Sequence, residues 1–214
     1  QYFAKFTITK RRISVAVSFE GEAAAKGEYT GEVISLKELY NGSVLYSSLP
    51  LVADECDWGV YEGDNQKLNA VFSFSKGGAA ALLKELGEYT VSVRLEDNDG
   101  KTLSNYFIEG YTDGAVEVTK RQVKVTAEMT ATSLEYNGFA LSEEYFGYNT
   151  KHVFSDSEGF VEESDYADYK AVYSLFRIDG TEADATAIIA AGEYYLTVKL
   201  EFIGSGEEKY YVFD

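Results

Sequence analysis

Apolar and polar residues alternate with a period of two in several stretches of this chain. Ile13, Val15, Val17 and Phe19 are separated by Ser14, Ala16 and Ser18, and Tyr89, Val91, Val93 and Leu95 by Thr90, Ser92 and Arg94. Successive side chains of an extended chain point to opposite faces, so each stretch predicts a strand with one buried and one solvated face. Both patterns occur again. Thr9-Lys10-Arg11 and the first stretch recur 110 residues later as Thr119-Lys120-Arg121 with Val123, Val125, Ala127 and Met129. Gly87-Glu88-Tyr89 and the second stretch recur 105 residues later as Gly192-Glu193-Tyr194 with Leu196, Val198 and Leu200. Between them, Glu28-Tyr29-Thr30-Gly31 returns as Glu135-Tyr136-Asn137-Gly138, and Ala70-Val71-Phe72-Ser73-Phe74 as Ala171-Val172-Tyr173-Ser174-Leu175. The apolar faces persist while the outward residues change, which predicts one fold built twice. A unit of roughly 100 residues is long enough to close its own core, unlike the shorter repeats of a solenoid.

Turn residues punctuate these strands at Tyr40-Asn41-Gly42, Lys76-Gly77-Gly78, Asp97-Asn98-Asp99-Gly100, Asp179-Gly180 and Gly204-Ser205-Gly206, which predicts antiparallel, hairpin-connected sheets. Residues 79–86 and 182–189 depart from strand chemistry, and each predicts one or two helical turns before the Gly-Glu-Tyr block. The connection Glu109-Gly110-Tyr111-Thr112-Asp113-Gly114 has the residues of a short linker. It places the boundary between Tyr106 and Val116, dividing the chain into residues 1–110 and 111–214.

A helical turn, Gly-x-Tyr and an alternating strand resemble the corner of immunoglobulin-like sandwiches, where a tyrosine hydroxyl bonds back to upstream backbone. Here Tyr89 and Tyr194 stand at that position. Ile8-Thr9-Lys10, Tyr29-Thr30-Gly31 and Leu86-Gly87-Glu88-Tyr89, with Val118-Thr119-Lys120, Tyr136-Asn137-Gly138 and Ala191-Gly192-Glu193-Tyr194, resemble the bacterial Ig-like repeats of surface proteins, most closely the MBG type. The resemblance spans both units and implies an all-β chain of two tandem immunoglobulin-like antiparallel β-sandwiches. Its motifs describe strands and corners, so it carries over a scaffold and no functional residue. Residues 32–69 and 139–169 depart from the compact family pattern, and loops of that kind are where a specific activity would sit.

Composition narrows the function classes. Eighteen Tyr, thirteen Phe and a single Pro suit strands. The net charge of −17 repels a phosphate backbone and excludes nucleic acid as a partner. Apolar runs are only a few residues long, far short of the ~20 that span a bilayer, so no membrane insertion is expected. Cys56 is the only cysteine, which rules out an intrachain disulfide and reads as a small, partly buried residue. Gln1-Tyr2-Phe3-Ala4 does not resemble a translation start, and a preceding segment is expected to have been removed.

Little chemistry is visible. His152 is the only histidine, and no nucleophile elbow, phosphate loop or His-x-x-x-His pair is present, so the chain reads as a non-enzyme. Asp156, Glu158, Glu162 and Asp165 offer hard oxygen ligands for calcium, as does the Asp97-Asn98-Asp99-Gly100 turn, but neither follows the twelve-residue calcium loop. No metal or other cofactor is expected. Lys10 and Asn105 are the residue types of an intramolecular isopeptide bond, although Tyr210 replaces the asparagine in the second unit. Trp58 and Tyr61 lie in a polar, glycine-bearing loop, where aromatic rings beside acids and amides suit stacking on a sugar. The reading that follows is a monomeric, non-catalytic spacer and adhesion module of a bacterial cell-surface or secreted protein, with a host or matrix protein or a surface glycan as partner. A carbohydrate-binding module of a surface polysaccharide-utilisation system, using Trp58 and Tyr61, is the alternative.

Overall fold

A computed structural model of the chain describes residues 3–19, 24–35, 44–50, 59–64, 66–184, 186–187, 190–205, 208 and 210–214. It is built mostly of β-strands, and among the described residues there is no α-helix, only short 3-10 turns. The chain divides into two compact units, Gln1–Thr119 and Lys120–Asp214.

The first unit contains β1 (Arg11–Phe19), β2 (Ala24–Glu28), β3 (Val44–Pro50), β4 (Leu68–Lys76), β5 (Ala79–Ala80), β6 (Gly87–Asp97), β7 (Tyr106–Thr112) and β8 (Gly114–Thr119). They form two sheets, in the orders β3-β1-β7 and β2-β8-β6-β4-β5. One core joins them. Ile13, Val15, Val17 and Phe19 of β1 share it with Tyr89, Val91, Val93 and Leu95 of β6 and with Val116 and Val118 of β8. The two alternating patterns therefore bury the residues that their period predicts.

The second unit contains β9 (Arg121–Met129), β10 (Phe146–His152), β11 (Tyr169–Arg177), β12 (Glu182–Ala183), β13 (Tyr194–Phe202) and β14 (Tyr211–Phe213). Its sheets run β10-β9-β14 and β12-β11-β13. The pairing repeats: β9 is antiparallel to β10 and parallel to β14, as β1 is antiparallel to β3 and parallel to β7. Aromatic packing dominates its core. Phe160 meets Tyr166, Tyr169, Tyr211 and Phe213 with ring centroids 4.6, 5.1, 5.0 and 5.8 Å away.

Three expectations are corrected. The sheets are mixed rather than purely antiparallel, because β1 runs parallel to β7, β2 to β8 and β9 to β14. Alternation fixes which face is buried and leaves strand direction open. The division falls after Thr119 instead of at 110, since β8 pairs with β2 and β6 and buries Val116 and Val118 in the first core. Only Asp113 separates β7 from β8, and only Lys120 separates β8 from β9. Residues 79–86 are not helical: Ala79 and Ala80 pair with Lys76 and Ser75 across Gly77 and Gly78, whose φ values of 58° and 83° suit a tight hairpin turn. Glu182 and Ala183 likewise pair with Phe176 and Leu175. Eight residues are too few to hold a helix against a neighbouring strand edge. The Tyr40-Asn41-Gly42 turn lies outside the described residues, as does Gly206.

Two local devices recur. Gly31 and Gly138, each at the end of a Tyr-x-Gly sequence, both have φ of 77°, a conformation that side-chain-bearing residues adopt only under strain. The Tyr89 hydroxyl donates to the Glu85 carbonyl at 2.6 Å, and the Tyr194 hydroxyl to the Ala190 carbonyl at 2.7 Å. Tyr89 is buried and Tyr194 only half-buried. Tyr89→Phe should therefore destabilise the first unit by about 1–3 kcal/mol, and Tyr194→Phe should cost the second about 0.5 kcal/mol, because water replaces the lost bond more readily there. Amide hydrogen exchange through a urea titration reads each unit separately; equal losses in both would contradict this.

Candidate functional site

Each unit ties an edge strand, β7 or β14, to a preceding loop through a tyrosine and an acid. Tyr106 opens β7, and its hydroxyl donates to Asp64 Oδ2 at 2.8 Å while accepting the Tyr61 N–H at 3.0 Å. Asp64 Oδ1 in turn accepts from Lys67 Nζ at 3.0 Å. Tyr211 opens β14, and its hydroxyl donates to Asp165 Oδ2 and accepts the Val161 N–H at 3.1 Å. Lys67, and after it Tyr106, holds the Asp64 carboxyl below the usual carboxylate range. Burial, and then the Asp64 bond, pushes the Tyr106 hydroxyl up. Sequence reasoning missed this clasp, although Asp64 and Asp165 recur at nearly the same spacing as Tyr106 and Tyr211.

The clasp accounts for the place of Tyr61. Its backbone is tied to Tyr106, and its ring lies so close to Gly63 that a Cβ there would come within 2.9 Å of Cε1. The residue is 55% exposed. Trp58, the other half of the expected sugar platform, lies outside the described residues, as does Cys56.

The structure does not gather the candidate metal ligands. Asp156 is fully exposed and pairs with Lys151 Nζ at 3.7 Å. The Glu158 carbonyl accepts from Arg121 Nη2 at 3.1 Å, and the Glu162 carbonyl from the Asp165 N–H at 3.1 Å. The Asp165 carboxylate is occupied by Tyr211. Among the described residues, no three acidic, histidine or cysteine side chains stand together as a metal group would. In the Asp97-Asn98-Asp99-Gly100 turn both acids accept backbone N–H groups, and Asp99 Oδ2 also accepts the Thr102 hydroxyl at 2.8 Å. Asp99 accepts the Lys101 and Thr102 N–H groups, both at 2.9 Å, and Asp97 accepts the Leu103 N–H at 2.9 Å. The Thr102 N–H is the main reason that the Asp99 carboxyl is held well below its ordinary range.

His152 Nδ1 lies 3.1 Å from Ser155 Oγ, and that oxygen lies 2.7 Å from Ser157 Oγ. These contacts sit within one turn after β10. Lys10 and Asn105 are both exposed, without the burial an isopeptide bond would use.

The second unit carries an open concavity. A groove of about 940 Å³ runs between residues 131–136 and 191–196. In the first unit the corresponding space is filled. There β8 lies between β2 and β6, with Tyr89 opposite Val116 and Gly87 opposite Val118. Among the described residues of the second unit nothing plays the part of β8, and residues 131–136, which correspond to β2 and Tyr29, form no strand. β13 begins at Tyr194, whereas β6 begins two residues earlier on the repeat alignment, at Gly87. Exposure follows. Tyr29 is 7% exposed and its counterpart Tyr136 61%, and Leu134 and Tyr195 also face solvent.

No family model, curated protein or solved structure matches the chain.

Two outcomes are expected. Asp64 carries a lowered pKa in the fold, so its contribution is present above the ordinary 3.8 and is lost as pH falls through its folded value. Asp64→Asn should flatten the acid limb of the thermal stability profile of the first unit; an acid limb identical to wild type would show that the clasp does not depend on the ionised acid. Calcium should raise the melting temperature no more than magnesium at equal concentration, because Asp156, Glu158, Glu162 and Asp165 are not brought together. A saturating, calcium-selective rise would reverse that conclusion.

Proposed function

We propose that the chain is a pair of immunoglobulin-like β-sandwich modules of the MBG-like type, acting as a non-catalytic spacer and adhesion scaffold in a bacterial cell-surface or secreted protein. The observation that carries the reading is the repetition of a whole unit, joined through the single residue Lys120. Arrays with so little chain between units serve to present and separate what they connect. The paired tyrosine corners support the immunoglobulin-like assignment, since Tyr89 and Tyr194 each bond to backbone four residues upstream. The charge of −17 favours solubility in a crowded array and opposes association with nucleic acid. Its partner is a host or matrix protein or a surface glycan.

Antibodies raised against this chain should label intact cells of the source organism, and a matrix-protein and glycan array should show binding without turnover. Labelling that appears only after cells are permeabilised would reject the surface assignment, and a glycan shortened by the purified chain would reject the non-catalytic one.

A further inference from the structure

A cleft of about 480 Å³ opens beside β10, an edge strand of the second unit. Tyr148, Asn149 and Lys151 border it from that strand, Asp156 and Glu158 from the turn that follows, and Tyr166 from the 3-10 turn before β11.

Its walls are fixed from behind. Arg121 holds the turn, donating from Nε to the Gly159 carbonyl at 2.8 Å and from Nη2 to the Glu158 carbonyl at 3.1 Å. The Gly159 N–H donates to the Thr150 carbonyl at 3.1 Å, and a Cβ on Gly159 would come within 2.6 Å of Val123, so the turn lies flush on the sheet. Tyr166 packs on Phe160 with ring centroids 4.6 Å apart, and Tyr148 is half-buried against the same cluster. Groups already held in place lose little entropy when a ligand arrives.

We propose that this cleft binds a short neutral saccharide. Every side chain that lines it carries a hydrogen-bonding group. An apolar ligand would strip those groups of water and return no bonds. A charged ligand meets a like charge: Asp156 and Glu158 oppose an anion, and Lys151, which lies 3.7 Å from Asp156, opposes a cation. Sugar hydroxyls both donate and accept, so they can bond the carboxylates, the Asn149 amide and the tyrosine hydroxyls at once.

The two tyrosines carry the argument furthest. Tyr106, Tyr169 and Tyr211 spend their hydroxyls on acids of the fold. Among the described residues, neither the Tyr148 nor the Tyr166 hydroxyl has a hydrogen-bond partner. Burial, and then the neighbouring Tyr166, pushes the Tyr148 hydroxyl up, so it keeps its proton and can donate. The volume falls within the range of about 300–1,000 Å³ that small-ligand clefts occupy, which suits the end of a glycan or a disaccharide. The inference rests on the adhesion reading for the source of the sugar, a surface or matrix glycan, and not for the binding itself.

The isotope-labelled full chain, titrated with maltose, cellobiose, lactose and N-acetyllactosamine to tens of millimolar, should show saturable amide shifts at Asn149, Lys151 and Glu158 with at least one sugar. Inorganic phosphate and lysine amide should not saturate there. Tyr148→Phe with Tyr166→Phe keeps both rings against the core and should weaken binding about tenfold. Asn149→Ala, at an exposed position away from that core, should weaken it as well. Four results would overturn the proposal: no saturable shift with any of these sugars; tighter binding of phosphate or lysine amide at the same amides; saturable shifts centred on residues 59–64 instead; or binding unchanged in both variants. Labelling of intact cells is untouched by any of them, so loss of this site and loss of the surface reading show separately.

Discussion

β8 stands in the interior of its sheet, between β2 and β6, although it is the last strand of its unit in chain order. A strand in that place must satisfy hydrogen bonds on both edges, and with Val116 and Val118 it completes a core begun by β1 and β6. The larger sheet cannot close before its final residues arrive, so its pairings are distant in sequence and slow to form. Among the described residues of the second unit, Tyr136 is exposed, β13 is shorter than β6, and the buried cluster gathers around Phe160.

Tyrosine hydroxyls fasten the chain at two ranges. Tyr89 and Tyr194 close bonds only four residues upstream, which fixes the local entry into β6 and β13. Tyr106 and Tyr211 reach back more than forty residues to Asp64 and Asp165 and hold the preceding loops against the sheet. One cysteine offers no intrachain pair, and these hydroxyl bonds add to strand packing in holding the loops.

Alternation in β1, β6, β9 and β13 was legible because a period of two and a buried face are the same physical fact. The two corner tyrosines were legible because Gly-x-Tyr precedes a strand both times. Residues 79–86 were not, since the alanines read as helical while the register across Gly77-Gly78 is a tertiary matter. The boundary was misplaced because Asp113 and Gly114 carry turn chemistry on one residue of actual connection, and Val116-x-Val118 fits either neighbour until its pairing is seen. Asp64 and Asp165 looked like surface acids among many, because nothing local tells an acid that a tyrosine from a distant strand will meet it.

The parallel pairs have a mechanical consequence. β1 lies hydrogen-bonded and parallel to β7, and β9 to β14. Tension drawing the start of the earlier strand away from the end of the later one slides the two past each other. Every bond of the ladder is then loaded together, instead of parting one by one as at the end of a hairpin. Lys120 leaves almost no slack between β8 and β9, so a pull on either unit passes directly into strands held in that sliding geometry. Resistance to force then follows from the rate at which a whole ladder shears, a quantity that equilibrium stability does not fix.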